Sequence, residues 1–417
     1  MQLSPPPQLR WLVVALLALA LPLRASAAPS TTKPVSADSS PAAQASTRAP
    51  TAPAADPPSA TPVLVDVYTM GPGDYFFSLF GHAAICITDA QSPAGRCYNW
   101  GTADFSDPLG LAWQVARGRA QFWVGTVDLP RLLSNYMAED RSLYRQRLSL
   151  SAAATERLVA LLHRVDERSK SLYTYHNLRD NCTTRVRDIL NEASDGTLTS
   201  DAAVQHRDQP SFRAISYEGF AGSAHLIAGS LLLFGRAIDR PISRFEGMFL
   251  PRILREEINR QLHVAPEPIF TRKGPVPSGP ARDGVLLLIG AGLFIALCVL
   301  LLARGQRTWQ AQFLAGTPLG LIGSLLLVLR LASPLAELRY NEVLLLCWPS
   351  DLFLPLLPAQ YLRTYLNLRL AALCLVAIAV ALGVLRQPLW GPLLFAAAPL
   401  LAAWIAARRW RHDGAPA

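Results

Sequence analysis

Three signatures of common protein classes are missing from this chain of 417 residues. Its six cysteines form no Cys-x-x-Cys pair and no other zinc-ligand spacing, so a metal site is not expected. A glycine-rich phosphate loop is absent too. The net charge is +9, but the basic residues form no run interleaved with aromatics, so nucleic acid is not an expected partner. The sequence therefore predicts neither a metal nor an organic cofactor.

What the chain does have is apolar surface. Hydrophobic residues make up 51% of it and the mean hydropathy is +0.23, which predicts that part of it lies in lipid. Arg10 precedes a short apolar run, and small residues follow at Ala25 and Ala27, as in a secretory signal peptide over residues 1–27. Residues 28–61 are mostly Ala, Pro, Ser and Thr, which predicts a disordered linker. The folded domain at residues 62–270 is then expected outside the cytoplasm.

Residues 284–407 are predicted to form an all-α membrane domain with five spans. The apolar segments are 284–303, 313–331, 343–357, 368–385 and 389–407. Five crossings place most arginines of the connecting segments and of the tail 408–417 on the cytoplasmic side, as the positive-inside rule requires. The third segment is short, contains two prolines and carries Asp351. An acidic group at that depth indicates either a functional residue or a broken, re-entrant helix with the carboxylate near water.

In the domain at 62–270, alternation of apolar residues predicts a strand in "PVLVDVYTM" and two more in "GHAAICITDA" and "RCYNWGT". A symmetric turn between the last two strands pairs Cys86 with Cys97, which would allow a disulfide in an oxidising compartment. The same register makes His82 and Asn99 diagonal neighbours on one face, within hydrogen-bonding reach.

The stretch "YTYHNLRDNCTTRVRDIL" predicts a helix that Asp180 or Asn181 caps and that begins with Cys182. A cysteine there is either a core residue or a nucleophile whose pKa the helix dipole and an imidazole lower. In the second case His82 is the base and Asn99 orients it, which gives Cys182, His82 and Asn99 as the predicted catalytic residues. His176 is an alternative base, and Ser78 is predicted to be a turn residue.

"FGHAAICI", "CYNWGTADF" and the cysteine stretch resemble the Lnb-type periplasmic domain of bacterial lipoprotein N-acyltransferases, which also carry a five-span membrane domain. "RFEGMFLPRIL" and "RYNEVLLLCWPSDLFLP" extend the similarity. The resemblance implies an α+β papain-like fold, circularly permuted so that His precedes Cys, with Cys182 and His82 as the catalytic pair. The long linker and the pair Cys86 and Cys97 depart from the family pattern.

From the resemblance we expect an acyltransferase of the bacterial inner membrane, with a periplasmic catalytic domain and a cytoplasmic C-terminus. Its acyl donor would be a phospholipid and its acceptor the α-amine of a diacylated lipoprotein. Two alternatives stay open. One is a papain-like cysteine hydrolase of the cell envelope, either a peptidase or amidase or a phospholipase. The other is a non-catalytic membrane scaffold in which Cys182 belongs to the core.

Overall fold

The fold is taken from a computed structural model that describes residues 63–165, 171–199 and 209–409. The predicted signal peptide and linker lie outside these residues, as does nearly all of the predicted tail at 408–417.

A seven-stranded antiparallel sheet forms the centre of the N-terminal domain, in the order β6-β4-β3-β2-β1-β5-β7. The strands are β1 Leu64–Met70, β2 His82–Thr88, β3 Arg96–Thr102, β4 Gln121–Asp128, β5 Leu143–Arg147, β6 Tyr173–Thr174 and β7 Glu267–Phe270. Cys86 lies directly opposite Cys97 and is joined to it by a disulfide, so the predicted hairpin register is confirmed.

Helices cover both faces of this sheet. Those of the N-terminal domain are α1 Pro108–Ala116, α2 Leu129–Ala138, α3 Ala152–Arg164, α4 Cys182–Ala193, α5 Phe212–Ser216, α6 Ala224–Leu233, α7 Arg244–Gly247 and α8 Pro251–Leu262. α2 packs on the face that carries the disulfide, while α3, α4 and α8 pack on the face that carries Val67 and Ile85. Because side chains alternate between the faces of a strand, each face has its own apolar core.

The C-terminal region is helical, with α9 Arg282–Arg304, α10 Thr308–Ala332, α11 Ala336–Arg339, α12 Ala359–Ala381 and α13 Trp390–Arg409. Among the described residues four helices, α9, α10, α12 and α13, are long and apolar enough to cross a membrane. The predicted third span at 343–357 is not such a helix. It forms two short 3₁₀ helices, Glu342–Leu345 and Pro349–Leu356, because Pro349 and Pro355 cannot supply the backbone N–H groups of a continuous helix.

This 3₁₀ segment nevertheless runs along α10. A methyl group added at Gly323 would lie 2.4 Å from the carbonyl oxygen of Cys347, and one at Gly316 would lie 2.2 Å from that of Asp351. Since Cys347 lies at Gly323 and Asp351 at Gly316, the segment runs antiparallel to α10. The glycines of α10 therefore provide the groove in which a non-helical backbone packs.

Asp351 is fully buried in this segment, and so is its partner Arg369 from α12. Asp351 Oδ1 accepts from Arg369 Nε at 2.8 Å and from the Tyr365 hydroxyl at 2.7 Å, and Oδ2 accepts from Arg369 Nη2 at 2.8 Å. Arg369 Nη2 also donates to the Leu346 carbonyl oxygen at 2.6 Å. The carboxylate thus lies in a dry ion pair that joins the 3₁₀ segment to α12, and not near water as the re-entrant alternative expected.

Replacing Asp351 with Ala is expected to lower the free energy of unfolding by about 3–5 kcal/mol, because it leaves the Arg369 guanidinium unpaired in an apolar interior. The measurement is denaturant unfolding of the protein in nanodiscs. Exposed Glu156 provides the control, since its replacement by Ala should change stability by less than about 0.5 kcal/mol. Equal stability of the Asp351 and Glu156 variants would contradict the assigned role of the pair.

Candidate active site

The site is built around the first turn of α4. The side-chain oxygen of Asn181 accepts hydrogen bonds from the N–H groups of Thr183 and Thr184, both at 2.9 Å, which makes Asn181 the N-cap. Its side-chain nitrogen donates to the carbonyl oxygens of Asn177 and Phe249, so the cap is itself held in place. Of the two predicted caps, Asn181 is the one used, and Cys182 becomes the first residue of the helix.

The thiol of Cys182 meets the end of the sheet where β2 begins and β3 finishes. It is in hydrogen-bond contact with the side chain of His82 and with the backbone of Ala83, and its Sγ lies 3.7 Å from the hydroxyl of Thr183. A methyl group at Gly101 would lie 3.4 Å from the Cβ of Cys182. Cys182 as a residue is only half-buried, in contrast to fully buried Cys347.

The pKa of Cys182 reflects two opposed effects. Burial raises it, but the charge of His82, its hydrogen bond to the thiol and further hydrogen bonds from Thr183 and Ala83 lower it to about 7. The positive end of the helix dipole at this N-terminus acts in the same direction. A large fraction of the thiol is consequently ionised at neutral pH, and the thiolate is the nucleophilic form.

Asn99 contacts the imidazole from β3. Its Oδ1 lies 3.3 Å from His82 Nε2, which is the contact that the hairpin register predicted. The imidazole also stacks on Tyr136 of α2, with 5.8 Å between ring centroids. The guanidinium of buried Arg141 lies over the Tyr136 ring, with its Cζ 4.7 Å from the ring centroid. The structure therefore brings the three predicted residues together on neighbouring elements.

Three tyrosines lie close enough to Cys182 for its charge to affect them, and the pattern of the sequence did not single them out. Burial raises the pKa of Tyr136, Tyr173 and Tyr175, and the negative charge of Cys182 raises it further in each case. All three are thus neutral hydroxyl donors at neutral pH. Tyr136 comes from α2 and the other two from the strand-and-loop segment before α4, so only the tertiary fold assembles them.

Two residues considered at the sequence level have other roles. His176 lies 3.1 Å from Glu337 through Nε2, and its Nδ1 accepts from the N–H of Leu178 at 3.2 Å. Both ring nitrogens are engaged, so the structure gives no support to His176 as the alternative base. The Ser78 hydroxyl donates to the Tyr75 carbonyl oxygen at 2.8 Å, which confirms it as a turn residue.

The contact of His176 with Glu337 belongs to a junction between the two domains. Glu337 lies in α11, between α10 and the 3₁₀ segment, and its carbonyl oxygen accepts from the N–H of Gly235 at 2.6 Å. The Ser333 hydroxyl donates to the carbonyl oxygen of Ala116 at the end of α1, also at 2.6 Å. The face of the N-terminal domain near Cys182 is therefore attached to one end of the helical bundle.

Within the described segments, no group of three or more His, Cys, Asp and Glu side chains is arranged to hold a metal ion.

The geometry defines a thiol–imidazole–amide centre on an antiparallel sheet, attached to a bundle of membrane-length helices. Residues 55–215 match the family model of the Lnb N-terminal periplasmic domain. This part of the chain is therefore an Lnb-type periplasmic domain, and together with the four membrane-length helices it supports an inner-membrane protein. No curated protein and no solved structure gave a significant match.

The pKa of Cys182 predicts how its alkylation depends on pH. Because the thiolate is the reactive form, the rate of modification by a small water-soluble reagent should rise with pH and reach half its maximum near pH 7. Removing the imidazole in His82→Ala leaves burial as the main effect, so the midpoint should move above about 8.5, the ordinary thiol value. Mass spectrometry of the peptide that contains Cys182 gives the rate. The same midpoint in both proteins would contradict the proposed pairing.

Proposed function

We propose that this protein is a membrane-bound lipoprotein N-acyltransferase. It moves an acyl chain from a phospholipid through a thioester on Cys182 to the α-amine of the N-terminal cysteine of a diacylated lipoprotein. The observation that carries the proposal is the contact of the Cys182 thiol with His82 at a helix N-terminus, on a domain that is attached to a membrane-length bundle. The match to the Lnb periplasmic domain supports it.

In the first half-reaction the thiolate of Cys182 attacks the carbonyl carbon of the phospholipid ester. The C–S bond forms, the C–O bond breaks, and the imidazolium of His82 protonates the leaving alkoxide to give a lysophospholipid. The oxyanion of the intermediate needs donors. The N–H of Cys182 has no partner within the helix, since it lies in the first turn, and it is one such donor. The neutral tyrosine hydroxyls around the thiol are suited to the same task.

In the second half-reaction the α-amine attacks the thioester. Neutral His82 takes the amine proton, the C–N bond forms and the C–S bond breaks, which restores the thiolate and the imidazolium. An α-amine has a reference pKa of about 7.7–8.0, so a useful fraction is neutral at periplasmic pH. Asn99 keeps the ring oriented in both halves through its contact with Nε2. The amide formed is more stable than the ester consumed, so the overall reaction has a favourable free energy.

The location of the site favours a lipid donor. The periplasm supplies no ATP or acyl-CoA to activate a fatty acid, so the acyl group must come from an existing ester, most simply a phospholipid. The junction from Ser333 to Ala116 and from Glu337 to His176 fixes the N-terminal domain at one end of the bundle, and lipid substrates held by the bundle would reach the site there. Holding both lipid substrates at the level of the site would speed the reaction, because they would not have to meet by diffusion.

We also propose that the N-terminal domain is a circularly permuted papain-like fold and that the chain crosses the membrane five times. The 3₁₀ segment would be the third, non-helical crossing. Gly391 contacts Val285 and Gly292 contacts Phe395, so α13 runs parallel to α9 and ends at the opposite side of the membrane from the catalytic domain. Arg363 near the start of α12 donates to the Ala407 carbonyl oxygen, which brings the chain to that same side before α12 begins.

The direct test uses cells that lack their own lipoprotein N-acyltransferase. The chain should add a third acyl group to lipoproteins, seen as a mass increase on the N-terminal peptide, and the purified protein should carry an acyl adduct on Cys182. Cys182→Ala and His82→Ala should lose at least about 10³-fold in rate, since they remove the nucleophile and its base. Tyr144→Phe, on the far strand β5, is the matched control and should keep full activity.

Other outcomes separate the alternatives. Release of free fatty acid without a gain on lipoproteins would replace the transferase with a phospholipase, and cleavage of wall peptides would indicate a peptidase. Full activity of both variants would contradict any role of the pair in catalysis and favour the scaffold interpretation.

The five-crossing topology predicts a cytoplasmic C-terminus. A green fluorescent protein fused after residue 417 should fluoresce, because this protein folds in the cytoplasm, and alkaline phosphatase fused at the same point should be inactive. A fusion after residue 275, before α9, should give the reverse pattern and serves as the control. An active C-terminal phosphatase would contradict the third crossing.

A further inference from the structure

Large apolar side chains are exposed on two loops that flank the site. Tyr75 and Phe77 lie between β1 and β2 and are 71% and 62% exposed, while Phe105 lies after β3 and is 45% exposed. Helix α1 follows directly with Leu109, which is 42% exposed. We call these four residues the apolar rim. An exposed apolar patch of this kind is usual at a binding surface and unusual elsewhere on a soluble face.

Helix α1 itself is apolar, with the sequence "PLGLAWQVA", and none of its residues is fully buried. Leu111 and Val115 pack against the core of the N-terminal domain, as one side of such a helix normally does, while Leu109 stays exposed. Here its end is attached to the bundle through Ala116, and a methyl group at the following Gly118 would lie 3.2 Å from the side chains of Pro334 and Leu335. The apolar surface of α1 is therefore placed at the outer end of α10.

The loop before β2 is attached at the same end. Phe80 packs edge-on against Phe220, with 5.2 Å between centroids, and the nearby Gly222 lies close to Ser278 and Gly279, which precede α9. The two loops of the rim are thus attached to the end of the bundle where Leu331, near the end of α10, is 78% exposed. Attachment at the end of a membrane-length bundle favours a lipid over a soluble partner as the occupant.

A row of aromatic contacts leads from the rim to the thiol. The ring centroids of Phe77 and Phe105 are 5.3 Å apart, those of Phe105 and Phe122 are 6.5 Å apart, and those of Phe122 and Tyr175 are 4.2 Å apart. Tyr175 packs against the same apolar core as Cys182. The row passes from strongly exposed to buried rings without a charged side chain among its members.

Each acidic side chain on these loops has a local partner. Asp74 pairs with Arg272 at 2.6 Å, and Asp107 caps α1 by accepting from the N–H of Gly110 at 2.9 Å. Asp104 accepts from the N–H of Ser106 at 2.9 Å. The loop carboxylates are engaged in holding the loop and helix geometry.

We propose that the apolar rim and α1 form a lipid-binding surface that enters the outer leaflet and guides one acyl chain of a membrane phospholipid along the aromatic row to Cys182. The proposal rests on the proposed function only in taking Cys182 as the acyl acceptor. Its chemical class of ligand is a long fatty acyl chain still attached to a phospholipid.

The test is photo-crosslinking of the full-length protein in nanodiscs of phosphatidylethanolamine and phosphatidylglycerol. Benzoylphenylalanine replaces Phe77 or Phe105, and as a control it replaces Tyr144 on β5. Phospholipid adducts on residues 77 and 105, detected by mass spectrometry, should exceed those on residue 144 by at least about tenfold, given the apolar burial expected. They should persist in Cys182→Ala, since lipid binding does not need the chemistry. Equal yields at all three positions, or adducts with protein only, would overturn the proposal.

A second measurement follows transfer itself. Phe77→Ser combined with Phe105→Ser should slow acylation of Cys182 by membrane phospholipid about tenfold or more, through the lost apolar contact. Tyr144→Ser should not slow it. Alkylation of Cys182 by a small soluble reagent shows that each variant is folded. An unchanged acylation rate would overturn the guiding role. Crosslinks at residues 77 and 105 without any N-acyl transfer would support the lipid-binding surface and contradict only the proposed function.

Discussion

The contact between the Cys182 thiol and the His82 imidazole depends on the way Asn181 begins α4. Asn181 satisfies two N–H groups of the first turn and is anchored to the carbonyl oxygens of Asn177 and Phe249. This fixes the helix start against the end of β2 and β3. With the helix rotated or begun one residue later, the sulfur would point elsewhere and the pKa of about 7 would have no cause.

A second constraint joins this site to the membrane domain. The 3₁₀ segment follows α11, and α11 carries Glu337, which contacts His176 in the loop that leads into α4. The position of that segment is set in turn by the pair of Asp351 and Arg369. Buried charges of this kind contribute little net stability but penalise other packings. Helix α4 is thus connected by a short series of contacts to the interior of the bundle.

Much of the site could be predicted because its parts are local. Alternation of apolar residues predicted the two strands and a symmetric turn between them gave the register, which placed His82 beside Asn99 and paired Cys86 with Cys97. The helix cap was visible in the residue before Cys182. Tyr136 and Arg141 could not be found in this way, because they come from another layer and reach His82 only after the sheet and α2 have packed.

The membrane region shows where hydropathy alone is insufficient. Average apolarity identified the four long helices correctly, since burial in lipid follows composition. The same average made residues 343–357 look like a fifth helix. Two prolines prevent that helix. The glycines of α10 let the non-helical backbone pack closely, and the guanidinium of Arg369 pairs with the Asp351 carboxylate. Such compensation comes from residues distant in sequence and has no local signature.

The account depends most directly on the proximity of residues 82 and 182, and disulfide trapping measures it. In the variant His82→Cys, mild oxidation of the protein in nanodiscs should join residue 82 to Cys182, with the linked peptides identified by mass spectrometry without reduction. Ser78→Cys, a turn position four residues earlier, should give no such link. The account predicts the link in the first variant alone. Its absence there, with Cys86 and Cys97 still joined, would contradict the central claim.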